Sequence, residues 1–404
     1  MNRTCIIGNI NSIGDSHRSL LTDTNIDVLV TDATSFDSCF HVNFEKFKNR
    51  EYSKCILFYD LKYGRYYDPD FGEPCVVTED SEYSEICFIA EEHCITGLEN
   101  EWYMFKLFVQ VCMACRVYGI EISVVDNDTM MSSEEFVKRK LELLGPPVCT
   151  DSREGFSSFA FHNSFHHEYV TDIQNRKNLL IFPGDSWAIA YNLDTLNGVN
   201  GVPWHPGLMS DGYAHMTAEH FDADLVVCGS TYGSNPNAVI TMYIWCLLNP
   251  DFTSQYNDVK IVYSSTTFDR DLTVYRNIGP VGYMSNFILS QKTEKLYRES
   301  RIAVQLFDDF CMKHSIPRFY LFNHCSAFHS HAIPEILNHD YSCVIAPKDH
   351  KFYNYRHFFR SKKGYTASCS HPNRSGNEYI AKDIISILEG TYYELPISDL
   401  PNGK

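Results

Sequence analysis

Short apolar runs rich in β-branched residues alternate with longer segments of helical periodicity along almost the whole chain of 404 residues. A strand buried on both faces has such an apolar run, and strands separated by helices usually pair in parallel. The expected strands are 4–8, 26–32, 54–60, 85–91, 120–126, 178–182, 223–229, 258–264, 317–323 and 342–347. The alternation therefore predicts an α/β protein with mostly parallel sheets covered by helices.

Helices are expected between these strands, where apolar residues recur at helical spacing. The clearest is the segment that ends on Gly119, because glycine is the usual residue just after a helix end. The other expected helices are 187–193, 235–249, 285–314 and 376–389. No repeat of fixed period is present.

The chain is long enough for two domains of ordinary size. Residues 143–164 combine Gly, two consecutive Pro, Ser and charges, a composition typical of linkers and exposed loops. We therefore expect an N-terminal α/β domain at 1–147, a linker or packed connector at 148–177, and a second α/β domain at 178–404. The first domain has no Gly-rich nucleotide-binding motif, so a nucleotide-binding role for it has little support.

The net charge of -17 argues against a nucleic-acid partner, because binding phosphates requires clustered Lys and Arg. The basic run of the chain, Arg356, Arg360, Lys362 and Lys363, is interpreted as a solvated loop. No apolar stretch is long enough to span a membrane, and no secretory signal opens the sequence. We expect synthesis in the cytoplasm; the final location stays open, with a virus particle as one candidate.

The fifteen Cys are scattered, and several lie inside apolar runs. Cys112 and Cys115 have the spacing of half a zinc site, but no second pair follows, so two packed thiols are the favoured interpretation. Two histidine groups are interpreted as polar loop residues rather than metal ligands. These are His162, His166 and His167, and His324, His329 and His331. No metal and no cofactor is expected.

The segment around Gly184, Asp185 and Ser186 has the features that an activated serine needs. An apolar strand ends at Pro183, Gly184 permits a tight turn, and Ser186 falls where a helix is expected to begin. A hydroxyl exposed at such a turn can act as a nucleophile, and the backbone N–H at a helix start can stabilise negative charge. The alternative is that Asp185 or Ser186 caps the helix.

A second block near the end of the chain favours the catalytic interpretation. His371 precedes Pro372 and Asn373, and then come Gly376 and an amphipathic helix. With the Gly-Asp-Ser block after the first strand, this order resembles the SGNH (GDSL-like) hydrolase family over about half of the chain. The resemblance implies a flavodoxin-like three-layer domain, in which Ser186 is the nucleophile and His371 the base.

The sequence departs from the family pattern at the orienting acid. The family usually has an Asp three residues before the histidine, and here that position is Ser368. A hydroxyl can hold the ring but does little to stabilise its charged form. Asp185, next to the serine, is the other weak candidate for this orienting role.

The oxyanion-binding group implied by the resemblance consists of the Ser186 amide, Gly201 and Asn235. Asn235 lies later after its strand than the family pattern has it, so Ser230 or Thr231 are alternatives. Gly198 and Gly212 are the alternatives to Gly201. Trp187 and Trp204 flank the block and either line a pocket or pack.

An echo of the same motif occurs near the N-terminus, at Gly14, Asp15, Ser16 and His17. No histidine in the family's setting closes the first half, so a cap or a degenerate site is the favoured interpretation.

The resemblance predicts an ester hydrolase, acting for example on O-acetyl groups of a polysaccharide. The alternative is an inert protein of the same fold, such as a glycan-binding protein or a structural component of a virus particle. Protein partners are left open.

Overall fold

The computed structural model describes the greater part of the chain. The described residues are 3–7, 17, 26–28, 40–41, 43–59, 97–126, 128–144, 148–151, 168–185, 187–188, 212–229, 234–266, 282–323, 343–347, 354–362, 364–366 and 371–391. The chain divides into two compact units, the first formed by Met1–Pro146 with Tyr275–Arg298, the second by Pro147–Val274 with Glu299–Lys404. The sequence-based boundaries place 275–298 in the second domain instead.

The first unit contains a five-stranded sheet among its described residues. Its strands are β1 (Arg3–Ile7), β2 (Ile26–Val28), β3 (Tyr52–Tyr59), β4 (Glu121–Asp126) and β5 (Thr129–Met131). Its helices include α1 (Phe44–Lys48), α2 (Gly97–Tyr118) and α3 (Ser133–Leu144). The sheet order is β2-β1-β3-β4-β5, and only β5 pairs antiparallel.

Helix α2 ends where the sequence predicts it to end. Gly119 follows it with φ +72, in the left-handed region that glycine adopts without steric cost. Cys112 and Cys115 lie on this helix as free, fully buried thiols. Burial raises the pKa of both, which keeps them protonated, as packed thiols are.

The second unit contains a seven-stranded sheet among its described residues. Its strands are β6 (Val148–Asp151), β7 (Glu168–Asp172), β8 (Asn178–Gly184), β9 (Ala223–Gly229), β10 (Asp258–Ser265), β11 (Arg318–Phe322) and β12 (Val344–Ile345). Its helices include α4 (Tyr213–His220), α5 (Asn235–Leu248), α6 (Phe252–Gln255), α7 (Gly282–Lys313, shared with the first unit), α8 (Tyr355–Ser361) and α9 (Arg374–Leu388).

Five strands of this sheet are parallel and run in the order β9-β8-β10-β11-β12. Numbered from β8, this is the order 2-1-3-4-5 of flavodoxin-like doubly wound sheets. Strand β7 pairs antiparallel with β9, and β6 extends the edge. The predicted fold class, two mostly parallel sheets covered by helices, is confirmed.

Side chains alternate between the two faces of the second sheet, as the strand period of two requires. Leu180, Phe182 and Val262 face the core formed with α4, α8 and α9. On the opposite face Tyr263 packs against Phe307 of α7, at 5.0 Å between ring centroids. The sheet therefore lies between two helical layers.

Some predicted elements lie outside the described residues, and others differ from the observed ones. The expected strand at 85–91 and most of the expected helix at 187–193 lie outside the described residues. The expected connector 148–177 contributes strands β6 and β7 to the second sheet. The basic run around Arg356 was expected in a loop, which is wrong, because Asn354 caps helix α8 there through its side chain. No helix among the described residues is both long and apolar enough to cross a membrane.

Candidate active site at the switch point of the second sheet

The candidate site lies at the carboxyl ends of β8 and β10. The strand order reverses between these two strands, since the chain leaves β8 toward β9 on one side and later returns to β10 on the other. In open α/β sheets this switch point leaves a crevice in which ligands bind. Gly184 and Asp185 stand at the end of β8, and Ser264 to Thr266 at the end of β10.

Two glycines make the approach of β8 and β9 possible at this end. Gly184 and Gly229 are partners in the parallel ladder. A Cβ on Gly229 would lie 2.2 Å from the Gly184 carbonyl oxygen, and one on Gly184 would lie 2.7 Å from the Ala188 Cβ. Side chains are thus excluded at both positions, and the turn after β8 stays close to its neighbours.

We expect Gly229→Ala to lower the free energy of unfolding by about 2–3 kcal/mol, because the clash is with backbone that cannot rotate away. Gly390→Ala is the control, since its Cβ would meet open space and only the positive φ of +77 opposes it. That variant should lose about 1 kcal/mol. Urea unfolding of both variants checks this, and equal losses would contradict the backbone clash.

Asp185 is fully buried and holds the turn after β8. Its Oδ1 accepts from the Trp187 N–H at 3.0 Å, and its Oδ2 accepts from the Thr266 hydroxyl at 2.7 Å. The Asp185 carbonyl accepts from the Ala188 N–H at 2.9 Å, which closes the turn. The bond from the Trp187 N–H spans two residues, as in an Asx turn; a helix cap by Asp185 and its role toward His371 both stay predictions.

Ser186 comes between Asp185 and Trp187 in the sequence but is not among the described residues. Gly201 and Ser368 also fall outside them. The alternatives Ser230, Thr231 and Gly198, the residue Trp204 and both histidine groups also fall outside them. Gly212 is described and precedes helix α4 as its N-cap. Among the described residues, no group of His, Cys, Asp and Glu is arranged to hold a metal ion.

His371 lies beside Trp187 in the segment that follows β8. Its ring centroid is 6.4 Å from that of Trp187, the residue after Ser186. Trp187 is buried and also stacks on Phe359, at 6.3 Å between centroids. Trp187, which follows the Gly-Asp-Ser block, therefore packs against His371, the first residue of the second block.

The two residues directly after His371 are held by several contacts. Thr366 and Pro372 form an isolated antiparallel bridge, and the Asn373 N–H donates to the Tyr365 carbonyl at 3.0 Å. The Asn373 side chain caps helix α9 by accepting from the Gly376 N–H at 3.0 Å. The histidine is consequently presented by a braced turn directly before a helix.

Asn235 begins helix α5 and is fully buried. Its Oδ1 accepts from the Tyr263 hydroxyl at 2.6 Å and from the Thr266 N–H at 3.0 Å. Its Nδ2 donates to the Thr266 carbonyl at 3.3 Å. This amide holds the chain after β10, and its predicted role in binding an oxyanion stays a prediction.

A buried polar cluster that no sequence motif indicated lies beside the end of β8. The Asn323 Nδ2 donates to the Ser264 hydroxyl at 2.5 Å and to the Tyr213 hydroxyl at 3.1 Å. The Tyr213 and Ser264 hydroxyls are 2.8 Å apart, and burial raises the pKa of Tyr213, so its phenol stays protonated. A Cβ on Gly184 would lie 2.8 Å from the Ser264 Cβ, which places this cluster against the end of β8.

In the first unit, His17 is the described member of the N-terminal Gly-Asp-Ser-His echo. Its ring packs edge-on against Phe58 near the end of β3, at 6.1 Å between centroids. The other three residues of the echo lie outside the described residues, so the interpretation as a cap or a degenerate site stays a prediction.

No protein-family model matches the chain, and no curated protein matches it. Among solved structures, one similar chain is a carbohydrate esterase whose active site has divergent catalytic and non-catalytic binding functions. The two share 15% identity over 54% of this chain and 67% of that one, with a TM-score of 0.34. Another is LAE5, an α/β hydrolase enzyme from the metagenome of Lake Arreo, Spain, with 13% identity over 53% of this chain and 95% of that one, and a TM-score of 0.32. Both likenesses are weak, and the fold is assigned from the strand order and pairing alone.

Proposed function

We propose that the second unit is a serine ester hydrolase of the SGNH type, with Ser186 as the nucleophile and His371 as the general base. One observation carries this proposal. The ring of His371 is in contact with Trp187, next to Ser186, at the switch point where flavodoxin-like sheets bind ligands. This contact supports the proposal, because Trp187 follows the Gly-Asp-Ser block and His371 begins the second block.

The reaction proceeds in two steps. The Ser186 hydroxyl attacks the ester carbonyl while His371 takes its proton, and the alcohol then leaves with that proton from His371. Water attacks the acyl-enzyme in the same way, which releases the acid and restores the serine. The Ser186 amide, Gly201 and Asn235 are the proposed donors to the oxyanion. The proposed substrates are short acyl esters, including O-acetyl groups on a polysaccharide.

The alternative is a protein of this fold without turnover, such as a glycan-binding protein or a structural component of a virus particle. The contacts of Asn235 favour it, because the Oδ1 of this buried amide accepts from Tyr263 and Thr266 and its Nδ2 donates to the Thr266 carbonyl. A site in which the oxyanion donor is committed to the scaffold lacks an important source of rate.

The test is reaction of the full-length chain with a fluorophosphonate, followed by peptide mapping, together with hydrolysis of a panel of acetyl esters. The proposal expects covalent labelling of Ser186 and turnover of at least one ester. Because Ser16 stands in a similar motif, it serves as the internal comparison. Labelling of Ser16 instead, or neither labelling nor turnover, contradicts the proposal.

We expect Ser368→Asp to raise kcat about tenfold, since a carboxylate in this position stabilises the charged imidazole that forms in each step. An ordered triad gains up to ~10⁴-fold from this acid, and a site not built around it gains less. Initial rates with a chromogenic acetyl ester at saturating concentration measure the change. A fall or no change would mean that another acid, such as Asp340 or Asp349, already serves His371.

A further inference from the structure

Thr266 links the two sides of the switch point. Its hydroxyl donates to Asp185 at the end of β8, at 2.7 Å. Its backbone N–H and carbonyl both bind the Asn235 side chain at the start of α5. All three residues are fully or almost fully buried, so water does not compete for these hydrogen bonds. Thr266 therefore holds both the Asp185 carboxylate and the Asn235 side chain in place.

The Asp185 carboxylate passes this constraint on to the turn. One of its oxygens is held by Thr266, and the other accepts from the Trp187 N–H. Ser186 stands between these two residues in the sequence, and Trp187 packs against the His371 ring. The position of the carboxylate thus determines the position of the residues on either side of the serine.

We propose that Thr266 is a positioning residue, whose hydroxyl sets the place of Ser186 relative to His371 by anchoring Asp185. This inference rests on the proposed esterase function. A buried carboxylate that loses a hydrogen-bond donor must move or accept from another donor, because a buried acceptor without a hydrogen bond raises the free energy of the folded state. A shift of about 1 Å between reacting groups is enough to slow a reaction roughly 100-fold.

The competing explanation is that Thr266 only stabilises the fold. The preceding residue provides a matched control, since Ser265, the last residue of β10, is also buried. Its hydroxyl donates to the Leu321 carbonyl of the neighbouring strand β11 at 3.0 Å. Removing either hydroxyl takes away a buried hydrogen bond, but only one of the two bonds leads to the serine turn.

The experiment compares Thr266→Val, Thr266→Ser and Ser265→Ala in the full-length chain. Thr266→Val keeps the shape of the side chain and removes its donor. We expect its kcat for an acetyl ester, and the rate of Ser186 labelling by a fluorophosphonate, to fall about 10–100-fold, with KM within about twofold. Thr266→Ser restores the donor and should return both rates to within about threefold of wild type. Ser265→Ala should keep both rates even if urea unfolding shows a comparable loss of stability.

Wild-type rates in Thr266→Val overturn the proposal, and so does an equal loss of rate in Ser265→Ala, because the loss would then follow stability. If Thr266→Val does not fold, Thr266→Ala is the second variant, because it lacks the same donor, and an unchanged kcat in it overturns the proposal as well. A wild-type chain that is neither labelled nor active overturns the esterase function and this inference together. If the wild type is labelled and active and the Thr266 variants have the same rates as the wild type, the inference alone is overturned.

Discussion

Replacing Ser186 by Ala is expected to lower kcat for acetyl ester hydrolysis by at least about 10³-fold, since removal of a nucleophile leaves only binding and electrostatic contributions. Alanine removes the hydroxyl alone and leaves the backbone N–H in place. The stability of the chain should stay within about 0.5 kcal/mol of wild type, as is usual for a substitution that breaks no buried contact. Turnover of a chromogenic acetyl ester and urea unfolding measure the two quantities.

Ser16→Ala is the control for this variant, because Ser16 occupies the same place in the N-terminal echo of the motif. No histidine with the setting of His371 closes the first half of the chain, so this variant should retain wild-type turnover. Full activity in Ser186→Ala would move the nucleophile elsewhere. A large loss in a stable Ser16→Ala would identify the N-terminal motif as a working site.

The five parallel strands and the long helices of the second unit could be predicted because burial determines their sequences. β9 was predicted at the bounds that the structure has, and every one of its residues is buried. Helix α5 begins where Ser234 and Pro236 indicate, with the Ser234 hydroxyl accepting from the Asn237 N–H. In both cases a local signal and a buried face agree.

Strands β5, β6 and β7 and the short helices were missed because their residues carry weaker signals. β7 is a strand of polar and apolar residues that pairs with β9 at the antiparallel side of the sheet. The sequence around it reads as a connector, since its charges and polar residues suit an exposed segment. Its place in the sheet depends on pairing with a strand far along the chain, and no local pattern encodes that.

The residues of the candidate site could be proposed from the sequence, and their catalytic roles stay predictions. The Gly-Asp-Ser block and the block containing His371 are recognisable from residue order, and Trp187 and His371 are in contact. The link from Asp185 through Thr266 to Asn235 was not predictable. Thr266 follows an apolar strand as one of several hydroxyl residues, and only the register of β8 and β10 brings it to the Asp185 carboxylate.

Substituting His371 by Ala is expected to lower kcat for the same ester by about 10³-fold, because no other group is proposed to accept the serine proton. The rate of fluorophosphonate labelling of Ser186 should fall in parallel, since that reaction needs the same activated hydroxyl. The matched control is His220→Ala. His220 lies on α4, is half exposed and pairs with Glu389 at 2.8 Å, so its loss removes a histidine–carboxylate contact away from the switch point. We expect wild-type kcat in this control.

Added imidazole separates loss of the base from damage to the fold. His371 precedes a turn that is held by the Thr366–Pro372 bridge and by the Asn373 cap, and these contacts do not involve its ring. The Ala variant should therefore keep the turn and leave a space beside Trp187 in which free imidazole can accept the Ser186 proton. We expect imidazole to raise kcat of His371→Ala at least about tenfold, with a dependence on the neutral form of the added base. The Ser186→Ala variant should gain nothing from imidazole, since it has no hydroxyl to deprotonate. Rescue of both variants to the same rate would show that imidazole attacks the ester directly, and wild-type turnover in His371→Ala would show that another residue is the base.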